Sequence, residues 1–304
     1  MTKIFFSGNM QSPFIQGDAE LLKEDHEVFI LNSPARPLQF PLFIFKCFQQ
    51  VLNIRNSDIV WIWFADYPAL PLVIISKIFN IPTVVNVGGF EVSKIPEINY
   101  GNQLKPTRGF VSRWIIRNAT RVIIPSPCYE EKIKNLIPQA NVVMIPNFID
   151  ASMCDIKLPQ KENLVVTAVC SKHAYAYKGI PIFKRVSGMI PYESKILENL
   201  QREEYEDNLK RAKVYCQLSR DETFGISLVE AMACGCVPVV NDKGALPWIV
   251  GDSGIIVPYG NAWVTTASIL EAMDMDGSKA RERARCFNRE KKQEAIGHLI
   301  GSIL

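Results

Sequence analysis

Short apolar runs alternate with helical patterns along the whole chain. In the first half, apolar runs predict strands at residues 3–6, 27–31, 59–63, 83–87, 121–124 and 141–145. Helical patterns lie between them, around 41–52, 71–79, 111–118 and 129–136, and the segment after the first strand predicts only a short helix. The run at 59–63 is continuously apolar, which is typical of a strand covered on both faces. This alternation predicts an α/β fold with parallel sheets.

The alternation pauses at residues 146–160, which contain two prolines and little periodicity and therefore predict a linker. Strand patterns resume at 163–169, 195–197, 214–217, 237–241 and 254–257, and 280–304 has a helical pattern. The run at 194–197 leads directly to a helical pattern at 203–213. Because 304 residues exceed the usual size of one hydrophobic core, we expect two domains, residues 1–150 and 151–285, followed by a terminal segment at 286–304.

Composition narrows the class of protein. Hydrophobic residues make up 48% and charged residues 21%, as in folded globular proteins. Eight cysteines without a C-x-x-C pair, together with three histidines, predict neither a zinc site nor a disulfide framework. The N-terminus resembles no secretory signal, and the apolar stretch 59–79 contains Asp66 and Lys77, so it predicts a strand and a helix rather than a membrane span. We therefore expect a cytoplasmic protein with free thiols.

The net charge of +3 conceals one local basic cluster. Between residues 98 and 129 there is no acid, and the five cations are Lys105, Arg108, Arg113, Arg117 and Arg121. The last three are four residues apart, a spacing that places side chains on one face of a helix. Two interpretations stay open: a solvated helix face, or a surface that binds anions or a membrane. A nucleic-acid interface is not expected, because no fold signature accompanies the cluster.

The most informative string is S-R-D-E-T-F-G-I-S-L-V-E-A-M-A-C-G-C-V-P-V-V at residues 219–240. It follows a predicted strand, passes Gly225 and continues into a predicted helix, an arrangement that directs unpaired helix N–H groups toward phosphate. Glu222 and Glu230 are eight positions apart, which suits opposite ends of a ligand better than a shared metal. The alternative is one carboxylate stabilising the helix dipole and one surface glutamate.

The same string resembles the E-x7-E signature of glycosyltransferase family 4, the retaining enzymes of GT-B fold. The resemblance implies two Rossmann-like domains with a deep interdomain cleft, and a nucleotide-sugar donor held by the second domain. It implies that Glu222 is catalytic and binds sugar hydroxyls, and that Glu230 binds the ribose. The backbone of Phe224, Gly225 and Ile226 is implied to hold the diphosphate.

Further segments resemble the family in the same order. Residues 168–180 (A-V-C-S-K-H-A-Y-A-Y-K-G-I) imply that Lys172 and Lys178 bind the donor diphosphate. Residues 84–96 (V-V-N-V-G-G-F-E-V-S-K-I-P) imply a cleft-facing loop of the first domain with Gly88, Gly89 and Glu91, without the histidine found in many members. Residues 143–150 resemble the interdomain segment. The terminal residues resemble the helices that cross back to the first domain.

Competing signals are weaker. Asp274 and Asp276 spell D-x-D, but no nucleotide-binding strand precedes them, so we expect a metal-independent enzyme that needs no cofactor. No G-x-G-x-x-G follows the first strand, which disfavours a dehydrogenase. The sequence thus predicts a retaining glycosyltransferase that moves a hexose-type sugar to an unidentified acceptor. A nucleotide-sugar epimerase and a non-catalytic sugar- or partner-binding relative are the alternatives. An anionic or lipid-linked acceptor, with peripheral membrane contact through Lys105 to Arg121, is a further hypothesis.

Overall fold

The computed structural model describes residues 1–34 and 37–304, which form two compact units. Unit 1 contains Met1–Ile145 and Gln293–Leu304, and unit 2 contains Pro146–Lys292. Each unit is built on one parallel sheet with helices in the connections, as the alternation of apolar runs predicts. Both units are therefore Rossmann-like α/β halves, as the sequence predicts.

The sheet of unit 1 has six strands in the order β2-β1-β3-β4-β5-β6. They are β1 (Lys3–Gly8), β2 (Glu27–Asn32), β3 (Ile59–Trp63), β4 (Thr83–Asn86), β5 (Arg121–Ile124) and β6 (Val142–Met144). The helices are α1 (Pro13–Asp25), α2 (Phe40–Gln49), α3 (Val51–Arg55), α4 (Ala69–Ile78), α5 (Pro106–Asn118) and α6 (Cys128–Leu136). All five residues of β3 are buried, as its uninterrupted apolar run predicts for a strand covered on both faces.

Helices α2 to α6 share one hydrophobic core with the sheet. Their buried residues include Phe43 on α2, Ile54 on α3 and Ile115 on α5, which cluster with Val60 on β3 and Val85 on β4. Because these side chains meet in one core, the five helices cover the same face of the sheet.

The sheet of unit 2 has five parallel strands in the order β11-β10-β9-β7-β8. They are β7 (Glu162–Val169), β8 (Glu193–Glu198), β9 (Ala212–Gln217), β10 (Val237–Asn241) and β11 (Ile255–Val257). The helices are α7 (Tyr175–Lys178), α8 (Ile180–Ser187), α9 (Arg202–Arg211), α10 (Ile226–Ala233), α11 (Leu246–Val250), α12 (Ala262–Asp274), α13 (Ser278–Ala284) and α14 (Arg289–Gly301). The last helix begins in unit 2, and from Gln293 onward it belongs to unit 1.

Three local predictions need comment. The direct passage from β8 through α9 to β9 is confirmed. The helix after the first strand is not short, since α1 has 13 residues, beginning with Pro13 in its first turn and burying Ile15 and Leu22. Arg113, Arg117 and Arg121 do not share a helical face, because α5 ends at Asn118 and Arg121 is the first residue of β5.

Candidate donor site in unit 2

The candidate site lies where the strand order of the second sheet changes direction. Strand β7 pairs with β8 on one side and with β9 on the other, so the loops that follow β7 and β9 diverge at the carboxyl edge of the sheet. Such a switch point forms a crevice in which open α/β proteins bind ligands. The loop after β7 leads to Lys178, and the loop after β9 leads to Glu222.

The carboxylate of Glu222 is buried and accepts three hydrogen bonds on one oxygen. Its Oε2 accepts from Nζ of Lys178 at 2.6 Å, from Nε2 of Gln217 at 2.5 Å and from Oγ of Ser219 at 3.1 Å. The side chains of Lys178 and Glu222 are 19% and 8% exposed, so this is a largely desolvated ion pair. The neutral donors reduce the desolvation cost of keeping a carboxylate there.

Two glycines allow the loops around Glu222 to approach one another. Gly179 has φ of 72°, and a Cβ there would lie 1.9 Å from the carbonyl oxygen of Leu218. Gly244 has φ of 58°, and its Cβ would lie 2.4 Å from the backbone N of Glu222. The N–H of Ala245 also donates to the carbonyl oxygen of Glu222 at 2.7 Å. Only glycine fits these two positions, and both therefore hold Lys178 and Glu222 in their relative position.

Phe224, Gly225 and Ile226 lead from Glu222 into helix α10. Gly225 is the N-cap residue with φ of 90°, and no side chain caps this end of the helix. Phe224 is buried, with its ring 5.3 Å from the ring of Phe287. The first backbone N–H groups of a helix have no partner within it and carry a partial positive charge, which is the arrangement that binds phosphate.

Glu230 lies on α10 and is engaged by a different set of residues. Nη1 of Arg202 donates to its Oε1 at 2.6 Å, and the hydroxyl of Tyr205 donates to its Oε2 at 2.8 Å. Burial, and then the charge of Glu230, raise the pKa of Tyr205 well above its usual value, so the hydroxyl stays protonated and donates. Burial lowers the pKa of Arg202, but the carboxylates of Glu230 and Glu206 together outweigh burial and raise the pKa overall.

Sequence reasoning did not identify Arg202 and Tyr205. They are three residues apart on α9, a spacing that places two side chains on one face of a helix. This spacing could have identified the two residues as candidates for the site, because α9 comes directly before the strand that leads to Glu222. Nothing in the sequence shows, however, that this face meets α10.

Lys172 is the predicted donor-binding residue that is not brought to Glu222. It begins a short 3-10 helix, Lys172–Ala174, and its side chain is exposed. Within residues 1–34 and 37–304, the cation that bonds to Glu222 is Lys178.

The predicted loop of the first domain follows β4. Gly89 has φ of 102° and Gly88 donates its N–H to Oε1 of Glu91 at 3.1 Å. Ala65, which follows β3, donates its N–H to the same oxygen at 3.2 Å. Glu91 is only 1% exposed, so its side chain is turned into unit 1 and holds two loops together. Burial raises the pKa of Glu91.

A cavity of about 370 Å³ opens beside the carboxyl ends of β1 and β2 in unit 1. Polar side chains line much of it, namely Asn9, Gln11, Asn32, Ser33, Gln39 and Lys46. Its lining residues follow β1, end or follow β2, or lie on or just before α2, so the cavity sits at the carboxyl edge of the first sheet and is a candidate ligand pocket.

The described part of the chain contains no group of three or more His, Cys, Asp or Glu side chains that could hold a metal ion. Asp274 is the last residue of α12. Oδ1 of Asp276 accepts the N–H of Ser278 at 3.3 Å, and hydrogen bonding from Ser278 lowers the pKa of Asp276. The D-x-D string therefore spans the end of α12 and the short connection to α13.

Comparison with known proteins gives a family match over Glu222 and helix α10, whereas Lys178 lies outside the matched range. Residues 190–293 match the family described as glycosyl transferases group 1. Over 81 residues the chain is 30% identical to the O-antigen chain mannosyltransferase B of Escherichia coli. That alignment covers 27% of this chain and 21% of the relative.

Solved structures resemble the whole chain at low sequence identity. A sucrose-phosphate synthase of Thermosynechococcus elongatus has a TM-score of 0.80 at 17% identity, with 98% of each chain covered. HepE of Anabaena, solved in complex with UDP and glucose, has a TM-score of 0.78 at 15% identity, with 99% of this chain and 100% of that chain covered. These similarities establish the GT-B fold, with two parallel-sheet Rossmann-like halves.

Proposed function

We propose that this protein is a retaining glycosyltransferase of family 4 that transfers a hexose-type sugar from a nucleoside-diphosphate sugar. The observation that carries the proposal is the Lys178–Glu222 pair beside the uncapped start of α10, at the switch point of the second sheet. The group 1 match over residues 190–293 supports the class of reaction. HepE, whose structure contains UDP and glucose, supports a nucleotide-sugar as the donor.

The donor diphosphate is held by positive charge from two sources in this proposal. The backbone of Phe224, Gly225 and Ile226 supplies the start of α10, and Lys178, aided by Lys172, supplies ammonium groups. As the bond between sugar and diphosphate breaks, negative charge grows on the leaving group. Preorganised cations and N–H groups stabilise that charge more strongly than water does, because they do not need to reorient.

Glu222 binds the sugar hydroxyls. Its three described hydrogen bonds all end on Oε2, and we assign Oε1 to the sugar. When Lys178 turns to the diphosphate, Gln217 and Ser219 still donate to Oε2. The carboxylate therefore keeps its orientation while its charged partner moves to the ligand.

Glu230 binds the ribose hydroxyls. Each carboxylate oxygen has two lone pairs, and Arg202 and Tyr205 use one on each oxygen. The remaining lone pairs can accept from the two ribose hydroxyls, while Arg202 and Tyr205 keep the carboxylate in one orientation. Both residues are therefore positioning residues for the donor.

The remaining assignments complete the proposal. Residues 151–285 hold the donor, residues 1–150 supply the acceptor site together with the Gly88–Gly89 loop, and residues 286–304 form the helix that crosses back. The polar cavity beside β1 and β2 is the acceptor pocket, which suits an anionic or lipid-linked acceptor because Lys46 lines it. The reaction needs neither a metal nor a cofactor. All eight cysteines are free thiols, which supports a reducing compartment such as the cytoplasm.

The first test is a screen of UDP-, GDP- and ADP-sugars for thermal stabilisation. A donor present at one hundred times its dissociation constant adds about 2.7 kcal/mol to the unfolding free energy. The stabilising donor is then used in transfer assays with Glu222→Ala, Glu230→Ala and the exposed control Glu271→Ala.

We expect Glu222→Ala to lower kcat roughly a hundredfold, because it removes a group that acts in the transition state. Glu230→Ala should weaken donor binding roughly tenfold with a smaller effect on kcat, since ribose is bound alike in ground and transition states. Wild-type values for both variants would refute the assignment. Donor binding without transfer to any acceptor would favour the non-catalytic alternative, and conversion of the donor without an acceptor would favour an epimerase.

A further inference from the structure

Helix α2 is apolar on both of its faces, although only one face is buried. Its sequence is F-P-L-F-I-F-K-C-F-Q, and Phe43 and Cys47 point into the core of unit 1. On the opposite side, Leu42, Phe45 and Phe48 are exposed. Helices that are apolar all round are found in environments that cover both faces, such as a large core or a membrane. We therefore expect another surface to cover the exposed face of α2.

The exposed side chains form one stripe, which we call the apolar stripe. It consists of Leu38, Leu42, Phe45, Phe48 and Leu52, which are 93%, 58%, 58%, 65% and 68% exposed. Successive members are four, three, three and four residues apart, the spacing that keeps side chains on one side of a helical segment. The neighbouring helix α4 adds exposed Ile74 and Ile78. Single exposed apolar residues are ordinary, whereas a contiguous set marks an interaction surface.

The charges around the apolar stripe identify its partner. Helices α2, α3, α4 and α5 contain six cations and not one Asp or Glu. Arg108 is neutralised by its ion pair with Asp66, and Arg113 donates to Gln103. The exposed cations are Lys46 on α2, Arg55 on α3, Lys77 on α4 and Arg117 on α5. Apolar side chains flanked by cations, without acids, complement a surface of acyl chains and anionic headgroups.

A second copy of the chain is a poorer match. In a twofold dimer the same patch meets itself, so the cations of α2 and α3 would face like charges. A bilayer that contains anionic lipid offers negative charge at the headgroups and apolar chains just below them, so it can accommodate both the cations and the stripe.

We propose that α2 and α3 dock on an anionic membrane, with the apolar stripe inserted into the headgroup and acyl-chain boundary and Arg55 at the lipid phosphates. Insertion of an amphipathic face to this depth leaves the chain bound at the surface. No helix in the described residues is long and apolar enough to cross a membrane. The proposal does not depend on sugar transfer. It places membrane contact on α2 and α3 rather than on the dispersed cluster from Lys105 to Arg121.

The test is flotation of the full chain with vesicles of phosphatidylcholine, with and without phosphatidylglycerol, at low and high salt. The wild-type chain should float with anionic vesicles and should do so less at high salt, because salt screens the cations. The double variant Phe45→Ser, Phe48→Ser should lower the partition coefficient at least about tenfold, since two apolar side chains lose their insertion. Arg55→Gln should lower it about fivefold, the contribution of one cation near an anionic surface.

The matched control is Trp263→Ser, which removes a large aromatic side chain that is 72% exposed on α12 of unit 2. This control should bind vesicles like wild type. Melting temperatures show whether each variant is folded. If the double serine variant does not fold, Arg55→Gln still tests the proposal. Wild-type vesicle binding by both α2–α3 variants would overturn the proposal. An absence of vesicle binding by the wild-type chain would also overturn the proposal. This outcome includes the case in which the wild-type chain is a dimer and the serine variant is a monomer.

Discussion

Removal of the Lys178 ammonium would leave the Glu222 carboxylate buried with two neutral donors. At the 2.6 Å separation of Nζ and Oε2, and with an effective dielectric constant of about 20, the direct attraction is on the order of 6 kcal/mol. Burying each ion costs several kcal/mol, which offsets much of that attraction. We therefore expect a net coupling of about 1–3 kcal/mol between the two side chains.

The single substitution Lys178→Met should lower the unfolding free energy by about 2 kcal/mol. This is less than the roughly 3–5 kcal/mol for a buried pair broken on one side, because Gln217 and Ser219 continue to donate to Glu222. Glu222→Gln should cost about as much, since it leaves the Lys178 ammonium without its carboxylate. The double variant should cost less than the two single effects added together.

The measurement is a double-mutant cycle by urea unfolding of the full chain, followed by circular dichroism. The matched control cycle uses Lys195→Met and Glu193→Gln, an ion pair of the same unit at 3.1 Å whose side chains are 39% and 60% exposed. Exposed pairs of this kind contribute about 0–1 kcal/mol. A Lys178–Glu222 coupling no larger than that of the control would refute the reasoning from burial. Saturation with the stabilising donor should reduce the coupling, because Lys178 then turns to the diphosphate.

Three further predictions concern the rest of the molecule. Tyr205→Phe should weaken donor binding about fivefold with kcat retained, because Glu230 loses one orienting hydrogen bond; isothermal titration with the donor measures this, and unchanged affinity would contradict it. Glu91→Gln should remove a pH dependence of stability. The folded state raises the pKa of Glu91, so this carboxyl favours the wild-type fold below the ordinary glutamate pKa and loses that contribution as the pH rises through its folded value. In urea unfolding, the unfolding free energy of the variant minus that of wild type should therefore increase from acidic to alkaline pH. A difference that stays constant with pH would count against the argument. Transfer should persist in EDTA, and loss that Mn²⁺ or Mg²⁺ restores would return Asp274 and Asp276 to consideration.

The sequence alone determined the architecture, because strand and helix patterns arise from local periodicity. The buried strand β3 and the passage from β8 through α9 to β9 follow from apolar runs of the right length. The α10 segment was recognisable through its resemblance to the E-x7-E signature of glycosyltransferase family 4, since the spacing of the two glutamates alone also fits a helix-dipole carboxylate and a surface glutamate. The helix α1 was underestimated, since Gly17 interrupts its pattern and only tertiary burial of Ile15 and Leu22 compensates.

Only the tertiary structure decided which side chains meet. Lys178 and Glu222 are 44 residues apart, and Arg202 and Glu230 are 28 residues apart, so their contacts depend on strand order and not on local pattern. The basic cluster occupies one acid-free stretch of the sequence. In the structure its members do not share one surface, because α5 ends at Asn118 and Arg108 pairs with Asp66. The apolar stripe is the converse case. Its residues look like ordinary core in the sequence, and only packing shows which face the core leaves exposed, because periodicity records that a residue is apolar but not what covers it.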